Sequence, residues 1–191
     1  RFTPLIFDVE DPEGVKNAVD HVKAIVGDTG LKALVNNAGI TVFGPLMNLS
    51  IEEFRHQLDV NVVGVLSVIQ IFLPLLGTDK KNVQSPGRII NISSVSGKIA
   101  YPFLGAYAAS KHALEAMSDS LRRELELYGI DVILIEPGNT VTPIMDKTKE
   151  QFHRFQKTDY GSILDHAVPF LEDRLKSAMS VEVVSQLIHK A

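Results

Sequence analysis

The sequence predicts an α/β fold: a doubly wound parallel sheet between layers of helix, three layers in all. Three observations carry this expectation. Short apolar runs alternate with segments of helical periodicity, so the runs must be joined by crossovers and lie parallel. Each run ends in a polar or glycine-containing turn, as strands do when a ligand lies beyond their carboxyl ends. The length of 191 residues suits one domain with a single core.

The elements follow in chain order. Leu5 to Phe7 reads as a first short strand that delivers Asp8 at its end. Asp11 is a good N-cap and Pro12 suits the first helical position. Val15, Ala18, Val19, Val22, Ile25 and Val26 then recur at helical spacing until Gly27 and Gly30 stop the helix. Leu31 to Val35 is a second strand, followed directly by Asn36-Asn37-Ala38-Gly39. Ser50 and Glu53 have capping-box spacing and open a long helix through Phe54, Leu58, Val62 and Leu66, which Pro74 is expected to close. Arg88 to Asn91 is the third strand, Leu104 to Tyr128 the third helix, and Val132 to Glu136 the fourth strand. The four strand ends, at Asp8, Asn36 to Gly39, Ser93-Ser94 and Pro137-Gly138, should share one rim.

Composition excludes several function classes. A formal charge of -4 with 19 scattered Lys and Arg gives no basic field for nucleic acid. The chain has no cysteine, hence no disulfide framework or thiolate metal site, which fits a cytoplasmic protein. Six histidines (His21, His56, His112, His153, His166 and His189) lack metal-ligand spacing and read as surface or packing residues, so no metal is expected. The most apolar stretch, Val60 to Leu76, is interrupted by Asn61, Ser67, Gln70 and Pro74 and reads as a buried helix.

Tyr107 and Lys111 stand four residues apart, on one face of the third helix. A phenol titrates near 10, and a close ammonium favours the phenolate, so Lys111 is expected to lower the pKa of Tyr107. Ser94, at the mouth of the third strand, could hydrogen-bond the same substrate oxygen that Tyr107 protonates, or could simply end the strand. Asn61 is an amide inside an apolar helix, where an unpaired polar group costs about 1–3 kcal/mol. It needs a partner: a water, a backbone carbonyl, or a proton relay towards Lys111.

Together, Asn36-Asn-Ala-Gly39, Asn61, Ser94, Tyr107-x-x-x-Lys111 and Pro137-Gly138-x-x-x-Thr142 resemble the classical branch of the short-chain dehydrogenase/reductase family over residues 5 to 145. The resemblance implies a Rossmann-like domain that binds NAD or NADP and moves a hydride between nicotinamide and an alcohol or carbonyl. Tyr107 would exchange the proton, Ser94 orient the oxygen, Lys111 tune Tyr107 and hold the nicotinamide ribose, and Asn61 hold a relay water. Asp8, Val9, Asn37, Ala38 and Gly39 would line the adenosine side, with Pro137, Gly138, Thr140 and Thr142 beside the nicotinamide. The run from Ser94 to Tyr107 looks most like the retinol, hydroxysteroid and 3-hydroxybutyrate dehydrogenases. With Pro45, Leu46 and Tyr101 to Leu104 it suggests an apolar pocket for a lipophilic alcohol or ketone. The family commonly pairs through its two long helices, which implies a homodimer or homotetramer. A catalytically silent nucleotide-binding protein on the same fold is the competing reading.

Relative to the family, the sequence lacks the glycine-rich Thr-Gly-x-x-x-Gly-x-Gly turn that holds the pyrophosphate. By resemblance, residue 1 precedes the third strand, so the domain is expected to be N-terminally incomplete, without its first two strands. Those strands would lie between the ones at Leu5 and Leu31. Val181 to Ala191 has a helical pattern without a cap, so the far end also looks cut, and a membrane anchor before Arg1 stays open. Residues 139 to 180 are expected either to cover the substrate or to pack against the domain.

Overall fold

The computed structural model describes residues 2–81, 83, 85–142, 151–166 and 176–191. Helix α1, Pro12–Val26, begins as its sequence dictates: Asp11 accepts from the Glu13 N–H and Pro12 occupies the first turn. At its other end Gly27 leaves the helix with φ 53°.

Strands β1 (Ala33–Asn36), β2 (Arg88–Ile92) and β3 (Asp131–Ile135) form a parallel sheet in the order β1-β2-β3. The register pairs Leu34 with Ile89 and Ile89 with Val132, so these three point to one face. There they meet Val65, Ile69, Leu76, Leu114 and Leu121 of the two crossover helices. On the other face Ile90 and Ile135 meet Val184 of the last helix, α4 (Val181–Lys190). Both faces are thus covered, giving the expected three layers.

The first crossover is α2, Ile51–Thr78. Ser50 and Glu53 form the full capping box at its start. By length and composition it could cross a membrane, and half of its most apolar window is buried in this fold. Pro74 does not close it. The chain continues as a π turn over Pro74–Thr78, a register that tolerates the missing proline donor, and stops at Gly77 with φ 125°. The second crossover, α3 (Gly105–Glu124), passes into a 3-10 turn at Leu125–Tyr128, matching the expected span.

Leu5 to Phe7 is not a strand. A strand is a pairing rather than a string of apolar residues, and among the described residues no strand pairs with this segment to complete a ladder. Ile6 is fully exposed as a result. Leu31 and Lys32 likewise precede β1 instead of opening it. All six histidines lie at the surface.

Candidate active site

Three of the four expected turns meet at one rim. The Ser93 N–H donates to the Ile135 carbonyl at 2.8 Å and the Val95 N–H to that of Pro137 at 3.1 Å, tying the turn after β2 to the turn after β3. Inside the sheet the Asn36 amide donates to Asn91 Oδ1 at 2.8 Å, and Asn91 donates to Ser118 Oγ at 2.9 Å. Asp8 does not end a strand. Its carboxylate accepts from the Glu10 N–H at 2.9 Å, while Val9 lies against Gly64 of α2, where an added methyl would meet Val9 Cγ2 at 3.0 Å. Val9, Asn37 and Ala38 nevertheless line one groove of about 130 Å³ together with Phe7 and Phe72.

The proton-transfer residues assemble at this rim. Ser94 is extended and caps the turn Val95–Gly97, its Oγ accepting from the Ser96 N–H at 3.1 Å. That leaves its hydroxyl proton free to donate. Tyr107, on the first turn of α3, has the Ser94 side chain near enough to favour its phenolate. One turn on, Lys111 is buried, donates to the Ile92 carbonyl at 2.7 Å, and lies 5.7 Å from the centre of the Tyr107 ring.

The electrostatics reverse one expectation. Burial pushes the Tyr107 pKa above its ordinary value, and the neighbouring Ser94 side chain only partly opposes this. Lys111 does not lower it, because its ammonium is turned towards the Ile92 carbonyl while the phenol loses solvent. Burial also pulls Lys111 itself down to about 8, against the attraction of the Glu115 carboxylate. At neutral pH both groups therefore carry their protons.

Asn61 lies in a π turn, Asp59–Gly64, within α2. The wider turn presents the amide to the loop after Gly39: the Ile40 N–H donates to Oδ1 at 2.9 Å, and Nδ2 donates to the Ile40 carbonyl at 3.0 Å and to Ser110 Oγ at 3.1 Å. The backbone partner is the one realised, and no hydrogen bond joins Asn61 to Lys111. Between them lies Gly39, where a methyl would stand 3.3 Å from Asn61 Oδ1 and 4.0 Å from Lys111 Nζ. Asn61→Ala would strand the Ile40 N–H and leave the Ile40 carbonyl to Gln57 alone, so it is expected to lower unfolding free energy by on the order of 2 kcal/mol, measured by urea denaturation.

Several residues of the site carry no sequence signal. Gln57, fully buried, accepts from the Val42 N–H at 2.7 Å and donates to the Ile40 carbonyl at 2.9 Å. Gln151 accepts from the Phe43 N–H at 2.8 Å and donates to the Thr41 carbonyl at 3.2 Å. With Asn61 they form three amide clamps on residues 40 to 43. Ser110 passes the Asn61 contact on to the Tyr107 carbonyl, to which its hydroxyl donates at 2.7 Å. An amide at a helical position that patterning would give to an apolar side chain was the available signal, and only Asn61 stood out by it.

Pro137, Gly138 and Thr140 follow β3. The Thr140 hydroxyl donates to the Gly138 carbonyl at 3.1 Å, and Thr140 forms an isolated bridge with Met179. Thr142 ends this stretch. Much of the expected covering segment, 143–150 and 167–175 with Met145 and Phe170, lies outside the described residues. Its described part, 151–166, packs Phe152, Phe155 and Leu164 against Phe43, Phe103 and Leu104. Phe103 has φ 67° and its ring stands edge-on to Tyr160 at 5.7 Å. A non-glycine residue in that region is strained, and here it is held by the Gly44 N–H donating to its carbonyl at 2.9 Å. Leu46 and Tyr101, expected in an apolar pocket, are exposed.

Comparison with known proteins agrees with this geometry. Residues 1–153 match the profile of the short chain dehydrogenase family. An NADPH-dependent 3-dehydrocapnine reductase of Ornithobacterium rhinotracheale is 44% identical over 187 residues, covering 96% of this chain and 65% of that protein. Retinol dehydrogenase 16 of Mus musculus is 41% identical over 150 residues, covering 78% of this chain and 45% of the relative. Among solved structures, carveol dehydrogenase from Mycobacterium avium in complex with NAD superposes with a TM-score of 0.68 at 28% identity, covering 76% of this chain and 52% of that one. The chain thus spans less than two thirds of the length of each of these proteins. With its motifs meeting at one rim, and with a family match over most of its length, the chain belongs to the short-chain dehydrogenase family.

Proposed function

We propose that the intact protein is an oxidoreductase that transfers a hydride between NAD or NADP and a secondary or allylic alcohol or its carbonyl. The observation that carries this reading is the Tyr107 phenol beside Ser94, one turn before a buried Lys111, at the carboxyl edge of a parallel sheet.

The residues fit a nicotinamide dinucleotide. The Lys111 ammonium has one hydrogen-bond acceptor among the described residues, the Ile92 carbonyl, which leaves N–H groups for a ribose diol. Asn37, Ala38 and Gly39 are exposed beside it, and Gly39 has no side chain to block close approach. Lys111, Asn37 to Gly39, and Pro137 to Thr142 would hold the cofactor, with Asp8 and Val9 at its adenine end. When bound, the nicotinamide supplies or accepts the hydride.

In the reducing direction, Tyr107 donates its proton to the carbonyl oxygen as the hydride arrives, and Ser94 donates a hydrogen bond to that oxygen. Lys111 keeps positive charge beside the phenolate that remains. In the oxidising direction Tyr107 must first lose its proton. Its raised pKa makes that form scarce at neutral pH, so oxidation is expected to climb from pH 7 to pH 9. Reduction should hold up to about pH 8 and fall as Lys111 is neutralised. Initial rates in both directions against pH test this, and an oxidation rate that declines over that range would contradict it.

For the substrate, the reading favours a lipophilic retinoid- or steroid-like alcohol or ketone, with a short hydroxy acid second. The aromatic cluster of Phe43, Phe103, Phe152, Phe155 and Tyr160 near the rim supports the lipophilic class. The test is the intact protein with each nicotinamide against retinoid, steroid and hydroxy-acid panels. Nicotinamide binding with silence on every panel would favour a regulatory protein instead.

A further inference from the structure

Glu115 lies one turn beyond Lys111 on the same face of α3, and both side chains are buried. Acidic residues are rarely found inside a protein unless paired. Glu115 is paired through one oxygen only: Oε2 stands 2.8 Å from the ammonium of Lys98, an exposed residue that also reaches Glu136 at 3.5 Å. Its other oxygen, Oε1, is buried with no hydrogen-bond partner, and so is Ser93 Oγ. Both approach Gly97, where an added methyl would lie 2.9 Å from Glu115 Oε1 and 2.8 Å from Ser93 Oγ. The end of β2, the glycine turn and α3 therefore close around a single carboxylate.

Such an arrangement is a poor way to stabilise a core. Each buried ion costs several kcal/mol, and an apolar side chain at position 115 would pack without that penalty. The charged neighbours are few. Lys111 faces Glu115 and the neutral Tyr107; Glu115 faces Lys111 and Lys98; and Lys98 faces Glu136 and, further off, Asp119.

The geometry points to Glu115 as a positioning residue for the proposed reaction, its buried carboxylate holding Lys111 as a cation while Lys98 anchors that carboxylate from the surface. This rests on the functional reading above, since it assigns Glu115 a part in the same proton transfer. Burial alone draws Lys111 down towards the pH at which it would lose its charge, and Glu115 is the group that opposes the loss.

The test follows the Cε resonance of Lys111 against pH in the intact protein carrying isotope-labelled lysine, assigned with Lys111→Arg. Glu115→Gln keeps the shape of the side chain and removes its charge. The Lys111 midpoint is expected to fall by about one pH unit, a tenfold loss of proton affinity. The reductive rate should then be nearly unchanged at pH 6 and about fivefold lower at pH 8, as that midpoint dictates. An unmoved midpoint in folded Glu115→Gln overturns the proposal, whatever happens to thermal stability. Should that variant not fold, Lys98→Gln frees the carboxylate from its exposed anchor and gives the same readout: the Lys111 midpoint again falls, and its failure to fall overturns the proposal. The resonance is read without turnover. A shifted midpoint in a protein whose wild type reduces no carbonyl therefore counts against the functional reading and not against the charge coupling.

Discussion

Tyr107→Phe is expected to lower turnover of the intact protein by about a thousandfold while leaving nicotinamide binding measurable. The substitution removes one oxygen and keeps the ring on the first turn of α3, so packing is preserved. What is lost is the proton handed to the substrate oxygen, and a positioned acid or base contributes on the order of a hundredfold to ten-thousandfold. Because the Tyr107 pKa is raised, its proton is firmly held at neutral pH, and among the described residues none beside it is placed to substitute: Ser94 is a far weaker acid and Lys111 is turned to the Ile92 carbonyl. Steady-state rates with fluorescence titration of the reduced nicotinamide decide the matter. A variant retaining more than a tenth of wild-type turnover would remove Tyr107 from the chemistry.

Lys111→Met should bring a comparable loss of turnover together with a gain in stability. The ordinary lysine value is 10.5 and the folded value about 8, so between those limits the unfolded chain binds the extra proton and stability rises with pH. Below pH 8 the cost of burying the ammonium is present in full. Methionine removes it, and against this stands the lost hydrogen bond to the Ile92 carbonyl, worth about 1–2 kcal/mol. The net expectation at pH 7 is a gain of roughly 1–2 kcal/mol that disappears as the pH approaches the ordinary lysine value. Urea unfolding of both proteins at several pH values provides the measurement, and a variant less stable at pH 7 would show that the ammonium supports the fold rather than burdening it. Natural proteins often accept such a burden where function requires it.

Both expectations concern residues that the sequence already placed together, and the reason is local. Tyr107 and Lys111 are four apart on one helix, and Ser94 ends an apolar run, so periodicity alone sets them at a strand edge and on a helix face. Asn61 stood out because an amide interrupts an apolar helix, although its partners proved to be Ile40 and Ser110 rather than a relay. Gln57 and Gln151 gave no such sign. Each serves a backbone group 15 or more residues away, and nothing in the letters around a glutamine announces a distant loop. Glu115 was hidden for a related reason: an acid on an amphipathic helix reads as solvated until the turn at Gly97 is seen to bury it. The direction of the Tyr107 shift depended on solvent exclusion and on where a flexible ammonium points, neither of which spacing encodes. The segment Leu5 to Phe7 failed in the opposite way, with strand-like residues but no ladder to join.

The amide clamps on residues 40 to 43 come from two quarters, Gln57 and Asn61 from α2, and Gln151 from the stretch that carries the aromatic cluster. Reshaping that stretch to admit a bulkier guest would tug on the very loop that leads out of Asn36 to Gly39. On the proposed function, selectivity and nucleotide affinity would therefore be mechanically yoked, and a lineage adapting one of them would inherit a change in the other.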